Sequence, residues 1–243
     1  MLTLWGAAVV LVAAFVKGAI GFGFPTLATP LLALFIDVKT AVVVLIVPNI
    51  VMDGIQFARQ GARPATMRRL ALLLAFGAVG TVVGTRLLVA LSARTATLLL
   101  GGFILLFVGL NLARVAPRIP PRWEPWLAPP VGLVAGIVGG ITNVPGTPLV
   151  IYFYALGLAK GEFVSAVAFS FIVYKVVQLA AVAWWGLLTW ALVGVSLALT
   201  VVGVGAFALG LLVQDRLPPR AFNRVVLGFL AGLGLWLVLG ATR

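Results

Sequence analysis

Apolar residues dominate the chain in long blocks, which short polar or charged stretches separate. The blocks run over residues 1–36, 38–58, 70–91, 95–113, 127–158, 163–184, 190–213 and 225–241. A helix crosses the hydrocarbon core of a bilayer with about 20 residues. Most blocks therefore predict one transmembrane helix each, whereas the first and the fifth blocks are too long for one crossing.

The two over-long blocks are interrupted in the same way by glycine and proline. The first contains GAIGFGFPTLATPLL and the fifth contains GGITNVPGTPLV. With one residue deleted, the matching positions are Gly18 with Gly139, Ile20 with Ile141, Pro25 with Pro145, and Thr29-Pro30 with Thr147-Pro148. About 11 residues separate Pro25 from Asp37. As a helix they reach roughly 17 Å, about half of the hydrocarbon core. Each block therefore predicts a broken hairpin with a short half-helix.

The likeness between the two halves extends beyond the breaks. GTRLLVALSARTATLLLGGF at 84–103 parallels GLLVQDRLPPRAFNRVVLGF at 210–229. Two polar pairs also fall opposite each other, Gln56 with Gln178 and Asp53 with Lys175. The shared order predicts an internal duplication. The expected parts are an N-terminal repeat at 1–113, a basic cytoplasmic linker at 114–126 and a C-terminal repeat at 127–243.

The distribution of Arg and Lys distinguishes parallel from inverted repeats, because basic loops remain in the cytoplasm. If each over-long block crosses once, the two sides hold 8 and 6 basic residues. If each block returns to its own side, they hold 11 and 3. The second arrangement places the loops at 59–69 and 214–224 in the cytoplasm and both termini outside. We therefore predict an all-α polytopic membrane protein with two inverted-topology repeats. Each repeat is a broken re-entrant-like helical hairpin followed by three transmembrane helices.

The amino-acid composition excludes several classes of protein function. Of the 243 residues, 63% are hydrophobic and 9% charged, whereas soluble domains carry about 25% charged residues. The chain has no cysteine and no histidine, which excludes disulfides, thiolate metal sites and histidine acid–base catalysis. We expect no enzyme activity, no cofactor and no metal. The net charge is +12. We interpret the basic residues as signals that keep loops in the cytoplasm and as contacts to anionic lipid headgroups, so no nucleic-acid partner is expected.

The two breaks predict an anion-binding site. The first amides of a helix lack intrahelical acceptors and carry partial positive charge, so two half-helix N-termini at one depth suit an anion. The candidate substrate-binding residues are Lys17, Gly18, Gly21, Phe22, Gly23 and Thr26 from the first break, and Gly140, Thr142, Asn143, Gly146 and Thr147 from the second.

Three charged residues and several glycines within the blocks have more than one interpretation. Lys17 either adds charge to the anion site or reaches an interface with its long side chain. Asp53 and Lys175 are expected either to couple the movement of an ion to transport or to form an ion pair. Asp53 either pairs with Lys175, accepts a proton, or lies at the membrane interface. Small-residue spacing predicts close helix packing at Gly77, Gly80, Gly84, Gly132, Gly136 and Gly140.

The breaks KGAIGFGFPTLATPLL and GGITNVPGTPLV, the duplicated halves and the chain length resemble the TauE/SafE sulfite exporter family of bacterial permeases. The resemblance implies a multi-pass protein of the bacterial inner membrane. It implies transport of sulfite, organosulfonates or related sulfur oxyanions, driven by an ion gradient or by the anion's own gradient. The expected partners are a small anion, the lipid bilayer and a co-transported or exchanged proton or other ion. An anion channel built on the same half-helices is the alternative, and a homo-oligomer remains open.

Overall fold

The computed structural model describes residues 2–21, 23–61, 64–113, 118–144, 146–214 and 219–242. In these ranges the chain forms α-helices joined by short turns, and no strand occurs. The helices are α1 (Leu2–Ile20), α2 (Phe24–Leu32), α3 (Val38–Val44), α4 (Ile46–Gln60), α5 (Pro64–Arg69), α6 (Ala71–Ala90), α7 (Ala93–Leu112), α8 (Glu124–Thr142), α9 (Gly146–Ala155), α10 (Lys160–Trp184), α11 (Trp190–Val213) and α12 (Pro219–Thr242).

Six helical segments within the described ranges are long and apolar enough to cross a membrane. They are Val38–Gln60, Ala71–Ala90, Ala93–Leu110, Pro121–Thr142, Gly161–Trp184 and Trp190–Val213. The first combines α3 and α4, which meet at a single non-helical residue, Leu45. The prediction of an all-α polytopic membrane protein is confirmed.

Both over-long blocks are broken where the sequence indicates. Gly21 and Gly23 lie between α1 and α2 with φ of +99° and +98°, a left-handed region that glycine tolerates without strain. In the second block Asn143 follows α8 with φ of +69°, the conformation in which asparagine commonly ends a helix. The half-helices that follow, α2 and α9, have 9 and 10 residues.

One set of helices runs in a common direction. Near the start of α1, Gly6 approaches Leu199 in the first half of α11, and near the end of α1, Gly18 approaches Gly210 near the end of α11. Helices α3 and α4 run in the same direction as α11. Ser196 donates to Val44 O, and further along both helices Gly203 lies near Met52. Helices α1, α4 and α11 are therefore parallel.

A second set, from α6, α8 and α10, is also parallel. Along α6 and α8, Gly132 lies against Leu73, and Gly84 lies against Ile137. The short helix α5 contacts the beginnings of both α8 and α10, through Arg69 with Glu124 and Thr66 with Glu162. Further along, Gln178 of α10 reaches the carbonyls at 139–140, near the end of α8.

The two sets run in opposite directions. Phe57 of α4 stacks on Phe169 of α10 with ring centroids 5.2 Å apart, and Ser165 donates to Gly61 O. The closer a residue is to the end of α4, the closer its partner is to the start of α10, so α4 and α10 are antiparallel. Asp53 and Lys175 lie near the middle of this pairing.

Small residues allow α6 and α8 to approach closely. A Cβ atom added at Gly80, Gly84, Gly132, Gly136 or Gly140 would come within 2.1–2.7 Å of the facing backbone. Backbone atoms cannot move aside as a flexible side chain can, so these positions require glycine. The packing interpretation of the glycine spacing is confirmed.

Candidate anion-binding site

The two broken segments meet inside the protein. Asn143, at the second break, donates from Nδ2 to Thr29 Oγ1 of half-helix α2 at 3.3 Å. Both side chains are fully buried. This contact joins the second break to the second turn of the half-helix that follows the first break, and its two residues lie more than 100 positions apart in sequence.

Five buried polar residues form what we call the central polar cluster: Lys17, Asn49, Asp53, Asn143 and Lys175. Each is at most 1% exposed. Ionisable groups this deep in a membrane protein are costly, and they mark pathways for substrates or ions.

Lys17 points into the protein from the last turn of α1. Its Nζ donates to Asp53 Oδ1 at 2.5 Å and to Asn49 Oδ1 at 3.4 Å. It also lies 5.9 Å from the ring centroid of Phe171, on α10. The alternative in which Lys17 reaches an interface is therefore wrong. So is the interfacial interpretation of Asp53, because its carboxylate is buried at the centre.

Lys175 projects from α10 toward the second break. Its Nζ donates to Asn143 Oδ1 and to Gln178 Oε1, the latter at 2.6 Å. The sequence alternative in which Asp53 pairs with Lys175 is not what the structure shows, because the Asp53 carboxylate pairs with Lys17. With all three side chains ionised, Lys17, Asp53 and Lys175 together carry one net positive charge.

Two glutamines donate hydrogen bonds to backbone carbonyls at or next to the two breaks. Gln56 donates to Gly21 O at 2.6 Å, and Gln178 donates to Gly139 O and Gly140 O at 3.3 and 3.2 Å. The last carbonyls of a helix have no intrahelical donor, and in lipid they need one from elsewhere. The two glutamines lie at equivalent positions in the sequence halves, and the structure gives them similar tasks.

Three polar atoms on one face of α4 have no hydrogen-bond partner among the described residues. They are Asn49 Nδ2, Asp53 Oδ2 and Gln56 Oε1. Their residues follow one another at spacings of four and three, which places them on the same side of a helix. A buried donor or acceptor without a partner costs about 1–3 kcal/mol. The face is therefore suited to a ligand that supplies the missing partners.

The structure gives the predicted binding residues different surroundings. Gly18 and Gly140 lie against the backbones of α11 and α6, so helix packing accounts for them. Thr142 donates to Val138 O and accepts from Val144 N, which ends α8. Thr26 is buried in the first turn of α2, and a Cβ at Gly23 would have nothing within 4 Å.

Three predicted residues have only partial or no description. Phe22 lies outside the described residues. Gly146 and Thr147 form the first turn of α9, and only their backbone is described. The anion-site prediction for these positions stays a prediction.

Sequence reasoning left two neighbours of Lys17 out of its candidate set. Asn49 precedes Asp53 by four positions, and this spacing could have placed it on the same helix face. Phe171 carried no signal, since an aromatic residue in an apolar helix is ordinary. Only the tertiary structure, which brings the Lys17 ammonium group near this ring, reveals it.

An all-helical membrane protein with two discontinuous helices around a buried polar centre has the architecture of a secondary transporter. The family model for the sulfite exporter TauE/SafE matches residues 6–237, and the chain belongs to this family. The family's transport role agrees with the predicted absence of enzyme activity. No curated protein and no solved structure matches the chain.

Proposed function

We propose that the protein is a secondary transporter of small anions in the bacterial inner membrane. The favoured substrate is sulfite, an organosulfonate or a related sulfur oxyanion. The observation that carries the proposal is the contact of Asn143, at the second break, with half-helix α2 and with Lys175 of the central polar cluster. There, two buried lysines leave a net positive charge beside the beginnings of two half-helices.

The donors around the two breaks suit an oxyanion. The first amides of α2 and α9 have no intrahelical acceptor, and their helix dipoles add partial positive charge. Asn49 Nδ2 is a buried donor without a partner, and Thr26 adds a buried hydroxyl in the first turn of α2. Several acceptor oxygens on one small anion can use these donors together.

Alternating access between two inverted repeats is part of the proposal. The directions of the helices support it. Helix α1 opens the first half and runs parallel to α4, whereas its counterpart α8 runs parallel to α10, which is antiparallel to α4. Repeats of opposite direction around one site can exchange conformations and expose that site to each side in turn.

Flux measurements in proteoliposomes test the proposed function. Purified protein is reconstituted, and uptake of sulfite, thiosulfate, sulfoacetate and methanesulfonate is compared with that of acetate. We expect saturable uptake of sulfur oxyanions that unlabelled substrate inside the vesicles accelerates, because a carrier returns faster when loaded. Flux that does not saturate and shows no acceleration would favour the channel.

A further inference from the structure

The unpartnered atoms on α4 differ in kind. Asn49 Nδ2 is a donor and requires an acceptor, whereas Asp53 Oδ2 and Gln56 Oε1 are acceptors and require a donor. An anion supplies acceptors only. A bare anion therefore satisfies Asn49 and leaves two buried oxygens unpaired.

The charged groups that face Asp53 come from two neighbouring helices. Lys17 of α1 donates to its Oδ1, and Lys175 lies opposite on α10, where Tyr174 is turned away and donates to Leu73 O. Helix α11 and half-helix α2 contain no titratable residue, and Lys39 of α3 is bound to Val89 O away from the cluster. Asp53 is therefore the acidic group of this site within the described residues.

We propose that the site binds one proton together with the anion, and that Asp53 Oδ2 is the atom that holds the proton. The proposal rests on the proposed transport function and deepens it. An O–H bond forms at Oδ2, and the new hydroxyl is a donor for Gln56 Oε1, its neighbour one turn further along α4. One proton thus supplies the donor that both unpaired oxygens lack.

Protonation of Asp53 also changes which anions the site can neutralise. With the carboxylate ionised, the charges of Lys17, Asp53 and Lys175 sum to one positive charge, which a monoanion balances. With the carboxylate protonated, they sum to two, which a dianion balances. Lys17 is then released from its ion pair and is available to the anion. A dianion is therefore carried with one proton, and the proton leaves Oδ2 on the side where the anion dissociates.

A metal cation at the two unpaired oxygens is the competing occupant. The ammonium group of Lys17 lies 2.5 Å from the same carboxylate, and Lys175 adds a second positive charge nearby. Like charges at such distances repel strongly where water is scarce. A proton adds the same charge but forms a covalent bond and needs no coordination shell.

Binding to the purified wild-type protein across pH 5.5–8 provides the first test. Thiosulfate and sulfoacetate are the dianion probes and methanesulfonate is the monoanion probe, since their charges stay constant in this range. We expect dianion affinity to rise as pH falls, by up to about tenfold per pH unit, and methanesulfonate affinity to change little. Dianion binding that is independent of pH, or that follows the sodium concentration instead, overturns the proposal.

The Asp53→Asn variant tests the assigned atom, because an amide mimics the neutral carboxyl group. We expect it to bind thiosulfate about tenfold more tightly than wild type at pH 8, with a weaker pH dependence than wild type. The matched control is Asp37→Asn at the exposed N-cap of α3, which should keep the wild-type profile. An Asp53→Asn protein with a wild-type pH profile overturns the assignment. If this variant does not fold, the pH profile of dianion binding by the wild-type protein and its proton flux test the proposal instead.

Proton flux in proteoliposomes completes the test. A pH-sensitive dye inside the vesicles should report one proton per thiosulfate taken up by wild type. Methanesulfonate uptake should carry none. Dianion uptake without proton movement disproves the coupling and leaves the transport function intact. If none of the sulfur anions binds or is transported, the proposed function itself fails, and the coupling fails with it.

Discussion

At the level of single residues, the cost of burying a charge explains why Lys17, Asp53 and Asn49 lie together. Each charged group alone would be expensive in the membrane interior, and pairing offsets part of that cost. Lys17 is held by the carboxylate and by the amide oxygen of Asn49, so its charge is kept at the break instead of being drawn to an interface. A positive charge in this position is available to an anion only when the ion pair with Asp53 loosens.

The Lys17→Gln substitution is expected to destabilise the protein, because it leaves the Asp53 carboxylate buried without its cation. Breaking a buried pair in this way costs about 3–5 kcal/mol. The thermal unfolding temperature in detergent measures the effect, and the double variant Lys17→Gln, Asp53→Asn should recover much of the loss. Equal unfolding temperatures for the single variant and wild type would show that the pair adds little stability.

Anion affinity separates the binding role of Lys17 from its structural role. The single variant Asp53→Asn and the double variant differ only at position 17, where the charge is kept or removed. We expect about tenfold weaker binding of methanesulfonate in the double variant, equivalent to about 1.4 kcal/mol. Lys39→Gln is the control, since this lysine bonds to Val89 O far from the cluster. Equal affinities in the single and the double variant would assign Lys17 a structural role alone.

At the level of elements, the broken helices depend on side chains from neighbouring helices. Gln56 and Gln178 each reach the end of the helix before a break. Without them, the freed carbonyls would face an environment that offers few donors. The amides of Gln56 and Gln178 therefore help to satisfy the backbone where the two helices are interrupted.

The Gln178→Met substitution should destabilise the second break. Methionine has a similar size but cannot donate to Gly139 O and Gly140 O, and it also removes the acceptor of Lys175. We expect a loss of about 1–3 kcal/mol, measured as a lower unfolding temperature. The matched substitution Gln60→Met, at the exposed end of α4, should be nearly neutral. A similar loss in both variants would argue against the capping role.

The contact between α6 and α8 yields a second prediction at this level. A Cβ at Gly136 would lie 2.1 Å from Gly77 O, so Gly136→Ala must push the helices apart. We expect a loss of at least about 1–3 kcal/mol and poor recovery of folded protein in size-exclusion chromatography. Gly102→Ala, where nothing lies within 4 Å, is the control and should behave as wild type. A stable, monodisperse Gly136→Ala protein would contradict the tight packing.

Across the whole molecule, helix direction connects the fold to the membrane. Helices α4 and α11 are parallel, so the ends of both lie at one face of the protein. These ends lead into the basic sequence segments at 59–69 and 214–224, for which the sequence predicted loops. The direction of the helices thus supports the prediction from loop charge that both loops are cytoplasmic.

Cysteine labelling tests this orientation, and the chain contains no cysteine of its own. We expect Arg63→Cys and Arg220→Cys to react with a membrane-impermeant maleimide only when the cytoplasmic face is open to it. Ser92→Cys, in the exposed turn between α6 and α7, should react from outside. Labelling of position 220 from outside would contradict the inverted arrangement.

Sequence alone indicated the apolar spans, the two breaks and the family resemblance, but not the interruption at Leu45 or the short helix α5. Runs of apolar residues define the spans, and Gly, Pro and Asn stop a helix wherever they cluster. The glycine spacing likewise predicted close helix packing, whereas the pairing of α6 with α8 came from the structure. The equivalence of Gln56 and Gln178 was also visible in the order of residues.

The partners of the buried charges were decided by the tertiary structure. Asp53 aligns with Lys175 in the two halves, and pairing between them was a reasonable hypothesis. The carboxylate instead meets Lys17, which has no equivalent lysine in the second half. Pair formation depends on the distance between side chains from helices α1, α4 and α10, and that distance follows from how the helices pack. Sequence spacing within one helix carries no information about it.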